Sequence, residues 1–383
     1  MSESGSLGGL PRRYYLGLAF IVALGISPVL TTQTQLITII GILYLMMFAI
    51  SWDVASGYTG QLNLGHAAFI AVGGYTTAIL NITHGVSLLV SIPAAAVLSG
   101  LAGLAVGIPA LRIRGAYLAL VTLVLPSIFY QIVILFDGVF KGSFGFKTQP
   151  TSLAGAREGT GALITVDSSA MATIIDFYIS YGVLILVFLV LFAYTRSDSG
   201  RILSAIREDE DAVIASGIAP AKHKVFSFVL SAMTAGLAGA LFIHSAAGFP
   251  HPDQLLADTL SLNIVIVSVL GGLGTIIGPM VGALLFGGLQ FVAGEFDVAL
   301  PMLEQSLSDV IPVVLFVIGM IVVYYRPEGL VPALLRRGEP EFEDSAERPA
   351  EPAADGGRTP VEQIAEKQAE SLQPNDGSSD NEY

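Results

Sequence analysis

The sequence predicts an all-α protein that crosses a membrane about ten times, through helices of which several are short or broken. Two observations predict this fold class. Hydrophobic residues make up 53% of the 383 residues and charged residues only 13%, about half the charged share of an average soluble domain. Apolar runs of about 20 residues recur along the chain, and that length spans the hydrocarbon core of a bilayer. We therefore expect a multi-pass protein of the cell membrane.

The apolar runs mark the candidate spans. They are Tyr14–Leu30, Leu36–Val54, Leu62–Leu80, Leu88–Ile108, Ala116–Phe136, Ile174–Tyr194, Val225–Ala246, Leu260–Ala293 and Val310–Tyr325. The first is interpreted as an uncleaved span, because no cleavage site of small residues is clear and a second run follows at once. Residues 260–293 exceed the length of one crossing, so we expect two crossings or a re-entrant hairpin that turns at residues 271–274.

Basic residues predict the orientation, because Lys and Arg are enriched on the cytoplasmic side. Arg12, Arg13, Arg112, Arg114, segment 196–224 and segment 326–337 would face the cytoplasm. Both termini are then cytoplasmic. The predicted organisation is a cytoplasmic N-terminus at 1–13, a transmembrane domain at 14–325 and a cytoplasmic C-terminus at 326–383. Within the domain at 14–325, the loop at 137–172 would be extracytoplasmic and the loop at 195–224 cytoplasmic. From residue 338 the chain is an acidic tail too poor in large apolar residues to fold by itself.

Polar and glycine-rich sequence inside two apolar runs predicts a pathway through the membrane. Such backbone survives at membrane depth only where protein or a water-filled cavity shields it, and paired interrupted segments are typical of transporters. The regions are Gly57–Leu80 and Val269–Gly288, and the doubled glycines in each favour a break or a bend. Glycines four residues apart (Gly274, Gly278 and Gly282, and Gly103 and Gly107) favour close helix packing. The predicted pathway residues are Gln61, Asn63, His66, Gly73, Gly74, Thr76, Gly271, Gly272 and Gly274.

The loop Ser197–Lys224 carries a second predicted site. Its apolar residues have helical spacing, and Gly217 is expected to end a short amphipathic helix. That helix could lie on lipid or in the groove of a partner protein. The acidic run 208–211 would be repelled by anionic headgroups, which favours a protein partner.

Several motifs are absent from the sequence. It has no G-x-x-x-x-G-K-[ST] loop for nucleotide phosphates, no H-E-x-x-H and no cysteine. No catalytic constellation is evident, so we expect a transporter subunit rather than an enzyme, without a bound cofactor, a metal or a nucleic-acid partner. If ATP drives transport, another chain must bind it.

Three long motifs then occur in a family's order. They are GQLNLGHAAFIAVGGYTTAIL from Gly60, RIRGAYLALVTL from Arg112 and SGRILSAIREDEDAVIASGI from Ser199. In these motifs the chain resembles the LivM-type inner permeases of branched-chain amino acid ATP-binding cassette importers, over roughly residues 36–332.

The resemblance implies the importer permease fold and a set of partners. These are a second permease of LivH type, two cytoplasmic ATPases that bind ATP and Mg²⁺, and an extracytoplasmic solute-binding protein. It also implies that the cytoplasmic loop is the coupling helix seated in the ATPase. The coupling residues are then Arg201, Ile206, Arg207, Glu210, Asp211, Ala212, Ala215 and Gly217. Two alternatives stay open: an importer of urea or short amides, and a secondary transporter driven by an ion gradient.

Overall fold

The structure is a computed structural model that describes residues 24–110, 116–147, 150–155, 163–166, 168–296, 299–300, 305–325 and 329–331. The predicted N-terminal segment 1–13, the basic pair Arg112 and Arg114, and the acidic tail from residue 338 lie outside these ranges. So does part of the loop predicted at 137–172.

The described chain is built almost entirely from helices. In the first half they are α1 (residues 24–30), α2 (Gln33–Asp53), α3 (Ser56–Thr59), α4 (His66–Ala78), α5 (Leu88–Ala110), α6 (Ala116–Leu135) and α7 (Asp137–Phe140). A π-helical turn, Ile79–Thr83, prolongs α4, and a 3₁₀ turn covers Gly142–Phe144.

The second half continues in the same way. Its helices are α8 (Ser169–Arg196), α9 (Asp198–Glu208), α10 (Glu210–Ala215), α11 (Pro220–His244), α12 (Pro252–Leu255), α13 (Asp258–Gly271), α14 (Ile277–Phe296) and α15 (Leu307–Tyr325). Two-residue strands pair in parallel, β1 (Ala154–Gly155) with β2 (Ile164–Thr165), and antiparallel, β3 (Ala299–Leu300) with β4 (Gln305–Ser306).

Helix starts follow local rules. Thr32 opens α2 with a capping box, in which its Oγ1 accepts from the Gln35 N–H at 3.4 Å and Gln35 Oε1 accepts from the Thr32 N–H at 3.0 Å. Pro220 occupies the first turn of α11, where its missing N–H has no intrahelical role. Both signals are local, since each involves residues within one turn of the helix start.

Seven helices within the described residues are long and apolar enough to cross a membrane. The predicted all-α multi-pass class is therefore correct, whereas the expected count of about ten crossings is not confirmed. The helix α4, with 13 residues, and its π-helical continuation, with five, are not among these seven helices.

The central helix is α2. Thirteen of its residues, including Trp52 and Asp53 at its end, are buried, and it packs against α8, α11, α13 and α14. A helix buried on nearly all sides needs neighbours around it rather than lipid. The helix α2 thus forms the core on which both interrupted regions are assembled.

Small residues allow the other close crossings. A Cβ atom at Gly73 would overlap the carbonyl oxygen of Gly236, and one at Gly103 would overlap Ala232. Likewise, a Cβ atom at Gly282 would overlap the Val267 carbonyl oxygen. Such close approach is the packing expected of small residues between membrane helices. The packing role predicted for this glycine spacing is confirmed at Gly103 and Gly282.

The two doubled glycines behave differently. The helix α4 runs unbroken through Gly73 and Gly74, so the break predicted there is wrong; the packing against α11 selects glycine at Gly73 instead. In the second region, α13 ends at Gly271, Gly272 has φ +123° and Gly274 φ +72°. Because such φ values favour glycine, the turn predicted at residues 271–274 is confirmed, and the helices on both sides of it are long and apolar enough to cross a membrane.

Candidate translocation and coupling site

The break of the first region lies between α3 and α4. Residues 60–65 form no helix, and Asn63 within them is 2% exposed. Its Oδ1 accepts from the Gly65 N–H at 2.9 Å, and its carbonyl oxygen accepts from Trp52 Nε1 at 2.6 Å. The Asn63 side chain therefore fixes the turn into α4.

His66 begins α4 and is fully buried. Its Nε2 lies 2.8 Å from Ser51 Oγ, and the Ser51 carbonyl oxygen accepts from Ser231 Oγ at 2.6 Å. Within the described residues, His66 Nδ1 and Gln61 Oε1 are buried without a hydrogen-bond partner. The first break thus contains polar groups whose hydrogen bonding is incomplete.

Thr76 and Thr77 have different surroundings. Thr76 is half-buried, whereas Thr77 Oγ1 lies 2.9 Å from both Ser91 Oγ and His244 Nε2. The His244 Nδ1 in turn lies 2.6 Å from the Thr151 carbonyl oxygen. Sequence reasoning chose Thr76 as a pathway residue, and the polar cluster of α4 forms around Thr77 instead.

The two broken regions meet at Asp53. Its fully buried carboxylate accepts from the Gly274 N–H at 2.7 Å and from the Ile276 N–H at 3.1 Å. Charge-assisted bonds of this kind are stronger than neutral ones. The end of α2 is therefore fastened to the turn between α13 and α14.

Arg207 of α9 also contacts the two broken regions close to Asp53. Its Nη1 donates to the Gly57 carbonyl oxygen at 2.9 Å and to the Leu273 carbonyl oxygen at 3.3 Å. One guanidinium thus binds backbone of both broken regions. The structure brings together Arg207, predicted for coupling, and Gly274, predicted for the pathway.

The predicted amphipathic helix consists of two helices, α9 and α10. Asp209 separates them in an extended conformation and caps α10 by accepting from the Asp211 and Ala212 N–H groups at 2.9 and 3.0 Å. The helix α10 ends as predicted at Gly217, whose φ is +84°, with the N–H groups of residues 217 and 218 bonded back into α10. These two hydrogen bonds and the positive φ of the glycine form a Schellman motif.

The coupling residues divide between two faces. Leu203, Ile206 and Val213 form a small core against Tyr58 and Tyr194, so Ile206 faces the permease itself. A larger set lies on the exposed face: Arg201, Asp211, Ala212, Ala215 and Gly217.

Glu210 forms an ion pair with Lys224 at the start of α11. The Glu210 Oε2 lies 2.7 Å from Lys224 Nζ, and the two side chains are 26% and 4% exposed. The pair joins α10 to α11, so this predicted coupling residue also acts within the chain.

An open cavity of about 490 Å³ lies between α2 and α14. Its walls are mostly apolar, and polar groups come from Thr38 and Gln290. Gly287 lets the two helices approach closely, since a Cβ atom there would lie 2.6 Å from Ile42 Cγ1, and Gly41 also lines the cavity. Sequence reasoning placed Gly287 in the broken region 269–288 but did not select Thr38, Gly41 or Gln290 as pathway residues.

Asp176 is a buried acid that sequence reasoning also missed. It lies in α8 and is 2% exposed; Oδ2 accepts from the Ala246 N–H at 2.6 Å. An acidic residue inside an apolar run is the available signal, because ionisable groups within spans are expected to have a role. Among the described residues, no cluster of His, Asp or Glu is arranged to hold a metal ion.

The sequence of this chain is similar to those of known transport proteins. Residues 34–320 match the family model described as a branched-chain amino acid transport system permease component. The permease protein LivM of the high-affinity branched-chain amino acid transport system of Salmonella typhimurium is 30% identical over 82% of this chain and 71% of the relative. Its Escherichia coli counterpart is 28% identical over 84% of this chain and 75% of the relative.

A third relative is BraD of Pseudomonas aeruginosa, also a high-affinity branched-chain amino acid transport permease. It is 26% identical over 78% of this chain and 92% of the relative. No solved structure matches the chain. From the extent of the family match, this chain belongs to the permease components of branched-chain amino acid transport systems.

Proposed function

We propose that this chain forms half of the translocation path of an ATP-driven importer of branched-chain amino acids. The observation that carries the proposal is the family match along residues 34–320, which covers both broken regions and the α9–α10 segment. The relatives named LivM and BraD supply the substrate class. The other half of the path would come from a second permease of LivH type.

Energy would come from partner ATPases that hold ATP and Mg²⁺, because the sequence has no phosphate-binding loop. The exposed face of α9 and α10 is the proposed contact, through Arg201, Asp211, Ala212 and Ala215. Its exposure in the isolated chain supports this. That segment and both termini would then be cytoplasmic, and a solute-binding protein would deliver substrate on the opposite side.

The mechanism we propose is alternating access. ATP binding at the partners favours one conformation of the permease, since a ligand shifts an equilibrium only by its differential affinity for the two states. The cavity between α2 and α14 suits an aliphatic amino acid, as its apolar walls would contact the side chain and Thr38 and Gln290 the polar groups. The incompletely bonded Gln61 and His66 would serve the path in another state.

The test is uptake of labelled leucine into proteoliposomes. They would contain this chain, the second permease and both ATPases, with the binding protein added outside and ATP enclosed. We expect uptake that requires every component and that unlabelled isoleucine and valine inhibit. Liposomes with this chain alone and an ion gradient are the control.

Two outcomes would contradict the proposal. Uptake by this chain alone without ATP would indicate a secondary transporter. Inhibition by urea or acetamide, with none by valine, would indicate an importer of small amides.

A further inference from the structure

Asp53, Gly57, Leu273, Gly274 and Arg207 form one cluster, called here the Asp53–Arg207 clasp, in which three distant parts of the chain meet. We infer that Arg207 is a positioning residue that passes the movement of the α9–α10 segment to both broken regions at once. The inference rests on the proposed function and assigns the transmission step to one side chain.

The clasp is held by the guanidinium of Arg207. Its Nη1 reaches two backbone carbonyl oxygens, Gly57 at 2.9 Å and Leu273 at 3.3 Å, which belong to different broken regions. A guanidinium presents several donors in a rigid planar fork, whereas the ammonium of lysine is a compact charge on a flexible stem. Lysine would therefore hold the two regions less well.

Three glycines make room for the clasp. A Cβ atom at Gly57 would overlap Asp53 Oδ1, one at Gly60 would lie 3.2 Å from Arg207 Cγ, and one at Gly274 would lie 2.7 Å from Arg207 Nη1. Gly60 and Gly274 also have positive φ values of +72° each. Because these positions are glycines, the backbone can approach the Asp53 and Arg207 side chains closely.

The clasp should move as one body. Separating the turn at residues 272–276 from α2 would remove both backbone N–H partners of the buried Asp53 carboxylate, and an unpaired buried charge is strongly unfavourable. Ser227 and Ser231 of α11 also donate to the carbonyl oxygens of Val54 and Ser51, at 2.7 and 2.6 Å. A push on α9 therefore reaches α2, α11 and the second break together.

The experiment compares Arg207→Gln with Arg196→Gln in the complete importer. Arg196 is an exposed guanidinium at the end of α8, stacked 5.0 Å over the Phe192 ring and outside the clasp. The measured quantity is leucine taken up per ATP hydrolysed. We expect Arg207→Gln to lower this ratio at least about fivefold, the lower end of coupling effects between sites. We expect the ratio for Arg207→Lys to lie between those of Arg207→Gln and the unmodified protein, and the ratio for Arg196→Gln to equal that of the unmodified protein.

A second measurement needs no variant. Amide hydrogen exchange of the unmodified complex, with and without a non-hydrolysable ATP analogue, should change protection in residues 57–60, 272–276 and 198–208 together. A change confined to 198–208, or an unaltered ratio in Arg207→Gln, would overturn the inference. Failure of the unmodified complex to take up leucine would instead overturn the proposed function, and the exchange measurement would still test the clasp.

Discussion

Lys224 Nζ lies 2.7 Å from Glu210 Oε2, and the lysine side chain is 4% exposed. A cation buried to this extent needs its partner, because removing one member of a buried pair leaves an uncompensated charge. The pair ties the start of α11 to α10, and so bears on stability and on coupling.

We expect Glu210→Ala to lower the free energy of unfolding by about 2 kcal/mol, below the 3–5 kcal/mol typical of fully buried pairs because Glu210 is 26% exposed. The double variant Glu210→Ala with Lys224→Met should recover most of the loss. The measurement is thermal unfolding in detergent. A double variant no more stable than Glu210→Ala would argue against an unpaired charge as the cause.

Gly73→Ala should destabilise the protein, since the added Cβ atom would overlap the Gly236 carbonyl oxygen. Overpacking of this kind costs about 1–3 kcal/mol. Gly182→Ala is the matched control, because nothing lies within 4 Å of a Cβ atom at Gly182, and alanine there should stabilise α8 by up to about 1 kcal/mol. Equal unfolding temperatures for the two variants would contradict the close crossing of α4 and α11.

Ala215→Arg should uncouple ATP hydrolysis from transport while the protein inserts and folds normally. Ala215 is exposed on α10, so the larger side chain disturbs a partner surface rather than this chain, and we expect uptake per ATP to fall roughly 5- to 150-fold. Ala170→Arg, at an exposed position in the first turn of α8, is the control. Normal leucine uptake by the Ala215→Arg complex would refute the contact with the ATPase.

Gly217→Trp tests the same exposed surface of α10, but it changes the backbone strain as well as the side-chain volume. Gly217 has φ +84° and open space around its Cα, so the tryptophan would add strain of about 1–2 kcal/mol along with bulk. We expect loss of coupling with a slightly lower unfolding temperature. Alanine at this position carries the strain without the bulk, so a coupled Gly217→Ala variant would separate the two effects.

Gly41→Leu should block the cavity between α2 and α14. Gly41 lines that cavity, and the leucine would occupy space proposed for the substrate side chain. We expect leucine uptake to fall roughly tenfold, which corresponds to about 1.4 kcal/mol in the barrier, with basal ATP hydrolysis unchanged. Gly288→Leu is the control on α14, since a Cβ atom there meets open space. Equal uptake by both variants would place the path elsewhere.

The second broken region could be predicted because its cause is local. Glycine at residues 272 and 274 permits positive φ values that other residues rarely adopt, and no distant contact is needed to recognise such a turn. The same holds for the end of α10 at Gly217. The doubled glycine at 73–74 led to the wrong prediction of a helix break, because close helix packing and helix breaking both favour glycine.

The first broken region shows where sequence reasoning stops. Asn63 was expected to line the path, yet its side chain closes a turn on Gly65. Arg207 was expected on the partner surface, and it is exposed, but its Nη1 also binds carbonyl oxygens 150 and 66 residues away along the chain. Composition and spacing carry no information about such distant partners.

The sequence by itself determined that the chain is helical, that it crosses a membrane many times and that the second region turns back near Gly272, because hydropathy and glycine conformation are properties of neighbouring residues. Only the tertiary structure decided that α9 meets both broken regions near Asp53. It also decided which polar side chains form hydrogen bonds that hold turns. Those outcomes depend on which distant segments come within hydrogen-bonding distance, and burial of a carboxylate among backbone N–H groups is favourable only once all of them are in place.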